Sequence, residues 1–122
     1  MDMSTPGYNP KACTAVSEIL NRIGDKWTMQ VVVVLREQPL RFNELKRQVH
    51  GISQQMLTRT LKLLERDGLV TRTVRDTSPP QVDYALTPFG VSLAEPVGAL
   101  AQWAFAHLDT LYANRASYDA EQ

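Results

Sequence analysis

The sequence contains few of the residues from which catalytic and metal sites are built. Its 122 residues include one cysteine, Cys13, and two histidines, His50 and His107. No disulfide can form within the chain, and no metal-ligand spacing occurs. A Walker phosphate loop, a Gly-x-Ser-x-Gly motif and a His-Glu-x-x-His motif are all absent from the sequence. We therefore expect that the protein is not an enzyme and that it has no metal site and no cofactor.

Long apolar segments are also missing. No run approaches the ~20 apolar residues that span a bilayer, and residues 1–11 lack the apolar stretch of a secretory signal. The single cysteine fits a reducing compartment. We expect one domain that is cytoplasmic and not bound to a membrane.

The chain has no net charge, because 13 basic residues balance 13 acidic ones, yet the two signs are unevenly distributed. Residues 36–75 carry nine basic and four acidic side chains, whereas residues 76–122 carry six acidic side chains and only Arg115. The basic central segment predicts a positive patch that a polyanion can bind. On charge alone, basic residues scattered over a solvated surface are the alternative.

The central segment also has the pattern of a helix-turn-helix. Helices are predicted after Asn43 and Ser53, whose side-chain oxygens can accept from free backbone N–H groups. Gly51 lies between them, where a left-handed conformation turns the chain sharply. Two helices joined by a short glycine turn are typical of this motif. Earlier in the chain, a helix is predicted from about Thr14 to Ile23.

Residues 27–35 fit either a strand or a helix. The four valines at 31–34 favour a buried strand by propensity. The length of the segment, the potential cap at Asp25 and the proline at Pro39 favour a buried helix. We predict the helix.

A β-hairpin is predicted to follow the second helix of the motif. Residues 69–75 alternate and are rich in β-branched side chains, and residues 81–86 form the returning strand after a turn with two prolines. A hairpin directly after a helix-turn-helix is a wing. Thr87 and Pro88 then begin a long last helix, which Pro96 is expected to kink or split.

The helix over residues 53–67 has two distinct faces. At roughly 100° per residue, three leucines share one face, and basic and amide side chains share the other. Gln55 and Arg59 are predicted to read bases, because Gln pairs with adenine and Arg with guanine, and Lys62 is predicted to contact phosphate. An ordinary amphipathic helix with a solvated basic face is the alternative for this helix alone. The predicted DNA-binding residues are Ser53, Gln54, Gln55, Thr58, Arg59, Lys62, Arg66, Arg72 and Arg75.

An ordered set of segments spans about residues 13–104. The segments are Cys13, Ile23-Gly24-Asp25-Lys26-Trp27, Arg41-Phe42-Asn43-Glu44-Leu45, Gly51-Ile52-Ser53-x-x-Met56-Leu57-Thr58, Leu64-Glu65-x-Asp67-Gly68-Leu69-Val70, Pro79-Pro80-x-Val82-Asp83-Tyr84 and Leu86-Thr87-x-x-Gly90. Together they resemble the HxlR-type regulators, which are relatives of the MarR group. Three positions depart from the family pattern: Asp25 replaces a glycine, Arg75 a wing aromatic, and Gln81 a basic residue.

The resemblance implies a mainly α fold with a small β-hairpin wing (α+β), a winged helix-turn-helix that dimerises through its first and last helices. It also implies a bacterial transcriptional regulator, either repressor or activator, that binds double-stranded DNA at an inverted-repeat operator as a homodimer. The last helix carries more apolar surface than one core contact needs, which agrees with a dimer; a monomer core is the alternative for its aromatic residues. The predicted dimer interface comprises Val16, Leu20, Leu93, Val97, Leu100, Trp103, Leu108 and Leu111.

The expected organisation is a disordered arm over residues 1–12, a winged helix-turn-helix domain over 13–113 and a flexible tail over 114–122.

Some relatives sense oxidants through an N-terminal cysteine, which makes Cys13 a candidate redox sensor. Lys11 and the start of the first helix provide the positive surroundings that a reactive thiol needs. A buried, inert thiol is the alternative that we prefer. The signal that controls the regulator is then either a small-molecule effector or thiol oxidation. The alternative function is a protein-interaction module, against which the basic helix face argues.

Overall fold

The computed structural model describes residues 10–122, so most of the expected N-terminal arm lies outside the described residues. Within 10–122 the elements follow in the order α1 (Pro10–Ile23), α2 (Lys26–Leu35), β1 (Leu40–Arg41), α3 (Phe42–Gln48), α4 (Gln54–Arg66), β2 (Val70–Arg75), β3 (Gln81–Leu86) and α5 (Pro88–Ala120). This is the mainly helical architecture with a hairpin wing that the sequence predicts.

Side-chain caps begin three of the helices, as the sequence predicts. The Asp25 carboxylate accepts from the backbone N–H groups of residues 27 and 28, each at 3.2 Å. Ser53 Oγ accepts from the N–H of Met56 at 3.0 Å, and Thr87 Oγ1 accepts from the N–H of Gly90 at 2.9 Å. Each cap satisfies a backbone donor that the first helical turn leaves free. The valine-rich segment is therefore a helix, α2, and its valines at 31 and 32 are buried in the core.

Two helices start earlier than predicted. α1 begins at Pro10 rather than Thr14, because the fixed φ of proline suits the first position of a helix. α3 begins at Phe42, so Asn43 lies inside its first turn and is not the cap. Instead the Glu44 carboxylate accepts from the N–H of Arg41 at 2.9 Å.

The prediction that Pro96 splits the last helix is wrong. α5 is continuous over 33 residues. A proline in a helix interior removes one backbone hydrogen bond, but here buried residues pack on both sides of it, Ala94 before and Val97 and Gly98 after. α5 extends to Ala120, so most of the segment expected as a tail over 114–122 is helical. No glycine or proline occurs after residue 98 to end it.

The three strands form one antiparallel sheet in the order β1-β3-β2. β3 is central and pairs along its whole length with β2, from Val70 opposite Leu86 to Arg75 opposite Gln81. The two-residue strand β1, which the sequence pattern does not predict, adds to the other edge of β3. The sheet thereby fixes the wing to the helical domain.

The core holds α4 against the rest of the domain. Leu57, Leu61 and Leu64 of α4 are buried together with residues of α2, α3 and β2. Gly51, in the turn between α3 and α4, has φ +86°. This left-handed backbone, which glycine adopts without strain, permits the sharp turn predicted between the two helices.

Candidate nucleic-acid interface

The two faces of α4 are separated as the sequence predicts. Leu57, Thr60, Leu61 and Leu64 are buried. The side chains on the opposite side are exposed, and they are Gln54, Gln55, Arg59, Lys62 and Arg66. Because the apolar face is fixed in the core, the polar face has a defined direction, outward from the domain.

A shallow concavity of about 910 Å³ lies along this outward face. It brings together six of the nine predicted DNA-binding residues, and its lining consists of Ser53, Gln54, Gln55, Thr58, Arg59, Lys62 and Leu63. Ser53 Oγ accepts the capping N–H of Met56, and its hydroxyl proton stays available to donate. Thr58 is half-buried at the flank. Amide, hydroxyl and guanidinium groups therefore share one exposed surface.

The wing carries two arginines that are predicted to bind DNA, and they differ in their surroundings. Arg72 is exposed on β2, opposite Tyr84. Arg75 instead donates from Nε to the Asp83 carboxylate of β3, whose side chain is only 15% exposed. The ion pair offsets the charge of Arg75, whose side chain is 60% exposed, whereas Arg72 has no such partner in the described hairpin.

Basic residues of α3 extend the positive surface beyond the predicted set. Lys46 and Arg47 occupy the last turn of this helix and are exposed, as is Arg41 at its start. These charges belong to the basic central segment of the sequence, but they are not among the predicted DNA-binding residues. Their position on the first helix of the motif could have identified them, because that helix crosses the DNA backbone in helix-turn-helix proteins.

A second candidate surface is apolar and runs along α1 and α5. Trp103 is 59% exposed and Phe105 is 82% exposed, so the alternative that places the aromatic residues in the subunit's own core is wrong. The other exposed apolar residues of these two helices include Val16, Ile19, Leu20, Leu100, Leu108, Leu111 and Tyr112. A cluster of large apolar side chains that is exposed in a single chain is typical of a surface that binds another molecule.

Two residues predicted for the dimer interface contact the core of their own subunit. Val97 is 5% exposed and buried within its own subunit, and Leu93 packs against the same core. The apolar residues of α5 therefore differ in exposure. Ala94 and Val97 are buried in the domain, whereas Phe89 in the first turn and Leu100 further along are exposed.

Cys13 lies in the first turns of α1 as a free, half-buried thiol. This placement differs from the fully buried position that an inert thiol would favour. Among residues 10–122 no group of three potential metal ligands occurs, and no helix there is long and apolar enough to cross a membrane.

Known proteins are similar to this chain in sequence and in fold. The model of the HxlR-like helix-turn-helix family matches residues 22–112. The HTH-type transcriptional regulator YtfH of Escherichia coli strain K12 is 39% identical over 98 residues, which cover 80% of this chain and 78% of the relative.

Two solved structures are similar over most of the chain. The transcriptional regulator YtfH from Salmonella typhimurium is 36% identical with a TM-score of 0.77, covering 83% of this chain and 90% of that one. The redox regulator HypR in its oxidized form is 38% identical with a TM-score of 0.71, covering 75% and 95%. The family match spans most of the described domain, including the helix-turn-helix and the wing. The chain is therefore a member of the HxlR-like helix-turn-helix family of transcriptional regulators.

Proposed function

We propose that this regulator binds an inverted-repeat operator in double-stranded DNA as a homodimer, with α4 in the major groove. The observation that carries the proposal is the exposed face of α4, where amide, hydroxyl and basic side chains converge while the opposite face is fixed in the core. A helix enters the major groove readily, and base edges there carry a distinct donor and acceptor pattern for each base pair.

The position of each residue suggests its target. Gln55 and Arg59 lie in the N-terminal half of α4, the part of a recognition helix that reaches base edges. Lys62 and Arg66 lie further along, and Arg72 lies on the wing, where phosphate is the expected target. Lys46 and Arg47 on α3 add candidate phosphate contacts.

The apolar surface of α1 and α5 supports a dimer. A two-fold pair of subunits presents two recognition helices, which then read half-sites about one DNA turn apart, ~34–36 Å. We propose that Val16, Leu20, Leu100, Trp103, Leu108 and Leu111 form the contact.

Arg59→Ala is expected to reduce binding to the cognate operator more than binding to random duplex. Loss of a base-reading arginine leaves its base unpaired, which costs about 1–3 kcal/mol at the operator and relaxes preference at one base pair in each half-site. Lys62→Ala is expected to weaken all duplexes alike. The measurement is the ratio of operator to random-duplex affinity at fixed salt, with an operator obtained by selection from random sequences.

Salt titration of the same variants supplies the control. Lys62→Ala and Arg72→Ala are each expected to lower the salt slope by roughly one unit, because each loses one phosphate contact. Arg75→Ala serves as the matched wing control and is expected to change the slope less, because Asp83 already neutralises Arg75. An equal loss at both duplexes for Arg59→Ala would show that Arg59 is not a base reader. A chain whose duplex affinity does not respond to salt would indicate the protein-interaction module instead.

Thiol sensing through Cys13 is a second candidate function, favoured by its half-buried free thiol and by the likeness to the redox regulator HypR. Mild oxidant is then expected to weaken operator binding, reductant to restore it, and Cys13→Ser to abolish the response. With one cysteine per chain, the oxidised form must be an intersubunit disulfide or a capped thiol. Gel-shift assays after oxidation, with the product identified by mass spectrometry, provide the measurement. Unchanged DNA binding by a fully oxidised chain would support the inert thiol.

A further inference from the structure

A cavity of about 540 Å³ lies between α1 and α5 and reaches the junction between α4 and the wing. Its volume is within the ~300–1,000 Å³ typical of small-molecule sites. Most of its wall is apolar, formed by Ile19, Ile23, Leu69, Phe89, Leu93 and Pro96. Mostly apolar walls with a few polar groups are what such sites share.

The charged groups at the cavity do not balance. Arg22 donates from Nη1 to the Asp67 carboxylate at 3.1 Å, so these two residues neutralise each other. Glu18 lies one helical turn before Arg22 and has no hydrogen bond or ion pair in the part of the chain that the structure describes. The cavity therefore has one carboxylate without a counter-charge beside apolar walls.

We propose that this cavity binds an amphipathic cation, a molecule with an apolar, preferably aromatic body and one positive charge. The body would bury against Leu69 and Leu93, which removes apolar surface from water. Phe89, which lines the cavity, is an aromatic partner for the cation, and Glu18 supplies the opposite charge. An anion of the same shape would instead lie beside a like charge.

The position of the cavity connects its ligand to the recognition helix. Asp67 follows α4 directly as its C-cap and forms an ion pair with Arg22 of α1, and Leu69 leads into β2. A ligand between α1 and α5 therefore contacts the end of α4 and the base of the wing. This regulatory effect rests on the proposed DNA-binding function, whereas the binding site itself does not.

Tetraphenylphosphonium and tetraphenylborate test the site, because they are similar in shape and opposite in charge. Calorimetric titration of the full chain is expected to show one phosphonium per subunit, bound roughly tenfold tighter than the borate. Glu18→Gln should weaken phosphonium binding about fivefold, the loss of one partly exposed ion pair, and should not weaken borate binding. Glu37→Gln is the matched control, since Glu37 is exposed beside a separate cavity between α2 and α5.

Equal affinity for the two ions, or unchanged phosphonium binding by Glu18→Gln, would overturn the proposal. A dimeric chain that does not bind the phosphonium would also overturn the proposal. That result would indicate that the second copy covers the cavity. Saturating phosphonium is expected to change the affinity for the selected operator by roughly fivefold or more, and an unchanged affinity would overturn the regulatory link. A chain that binds phosphonium selectively but binds no duplex contradicts the proposed function alone.

Discussion

Gly90→Ala is expected to lower the free energy of unfolding by about 3 kcal/mol, a large part of the roughly 5–15 kcal/mol that stabilises a domain. Gly90 lies in the first turn of α5, where an added Cβ would lie far inside the van der Waals contact distance from the Leu69 carbonyl oxygen. That oxygen is held in place, because it accepts the N–H of Thr87 at 3.0 Å. The Thr87 hydroxyl in turn donates to the Gly68 carbonyl at 2.6 Å. Alanine must therefore separate α5 from the base of the wing, which chemical denaturation would detect.

Gly98→Ala is the matched control within the same helix. An added Cβ there would meet the guanidinium of Arg36, the far end of a flexible side chain that can move aside. The exposed pair that Arg36 makes with Glu95 contributes little, and alanine gains up to about 1 kcal/mol in helix propensity over glycine. We expect unchanged or slightly higher stability. A Gly90→Ala chain as stable as Gly98→Ala would show that α5 does not pack this closely on residue 69.

The close approach at Gly90 gives a physical reason for the last segment of the family pattern, Leu86-Thr87-x-x-Gly90. Thr87 caps α5 and bonds to the turn before β2, and Gly90 lets the helix approach that turn. The sequence suggested the cap, because a cap is formed within three residues. The need for glycine involves Leu69, which is distant in sequence, and only the folded chain shows it.

The same division between local and distant contacts explains which parts of the fold were predictable. Asp25 and Ser53 make their capping bonds within their own helices, so the starts of α2 and α4 follow from composition. The strand β1 consists of two residues that pair with β3 more than 40 positions later, from Leu40 opposite Tyr84. No local pattern indicates such a strand. Pro96 favours a break locally, whereas packing on both sides of it maintains the helix.

The candidate site divides in the same way. The exposed face of α4 follows from helical periodicity, because the leucines that fix its direction lie on the same helix. The neutralisation of Arg75 depends on the register of the hairpin, which brings Asp83 within reach across the strands. Val97 and Leu100 both belong to the predicted dimer interface, but only the fold shows that Val97 is buried in its own subunit and Leu100 is exposed.

Leu111→Glu is expected to convert the proposed homodimer into monomers and to abolish tight binding to the inverted repeat. Leu111 is 43% exposed in the single chain, so glutamate there costs the subunit fold little. In the proposed dimer it would bury an unpaired carboxylate, and two-fold symmetry places the substitution in both subunits. Burial of an uncompensated charge costs about 3–5 kcal/mol, so the dimer dissociation constant should rise by roughly 100-fold or more.

Sedimentation measures the dimer, and gel-shift assays on the full repeat and on a single half-site measure its consequence. Affinity for the full repeat should fall to that for one half-site, while affinity for the half-site stays unchanged because α4 is untouched. Ala113→Glu is the matched control, since Ala113 is also exposed near the same end of α5 but lies about 160° around the helix from Leu111 at roughly 100° per residue. We expect Ala113→Glu to remain dimeric. A Leu111→Glu chain that is still dimeric at micromolar concentration would place the subunit contact away from this part of α5, and the exposed aromatic residues there would then need another partner.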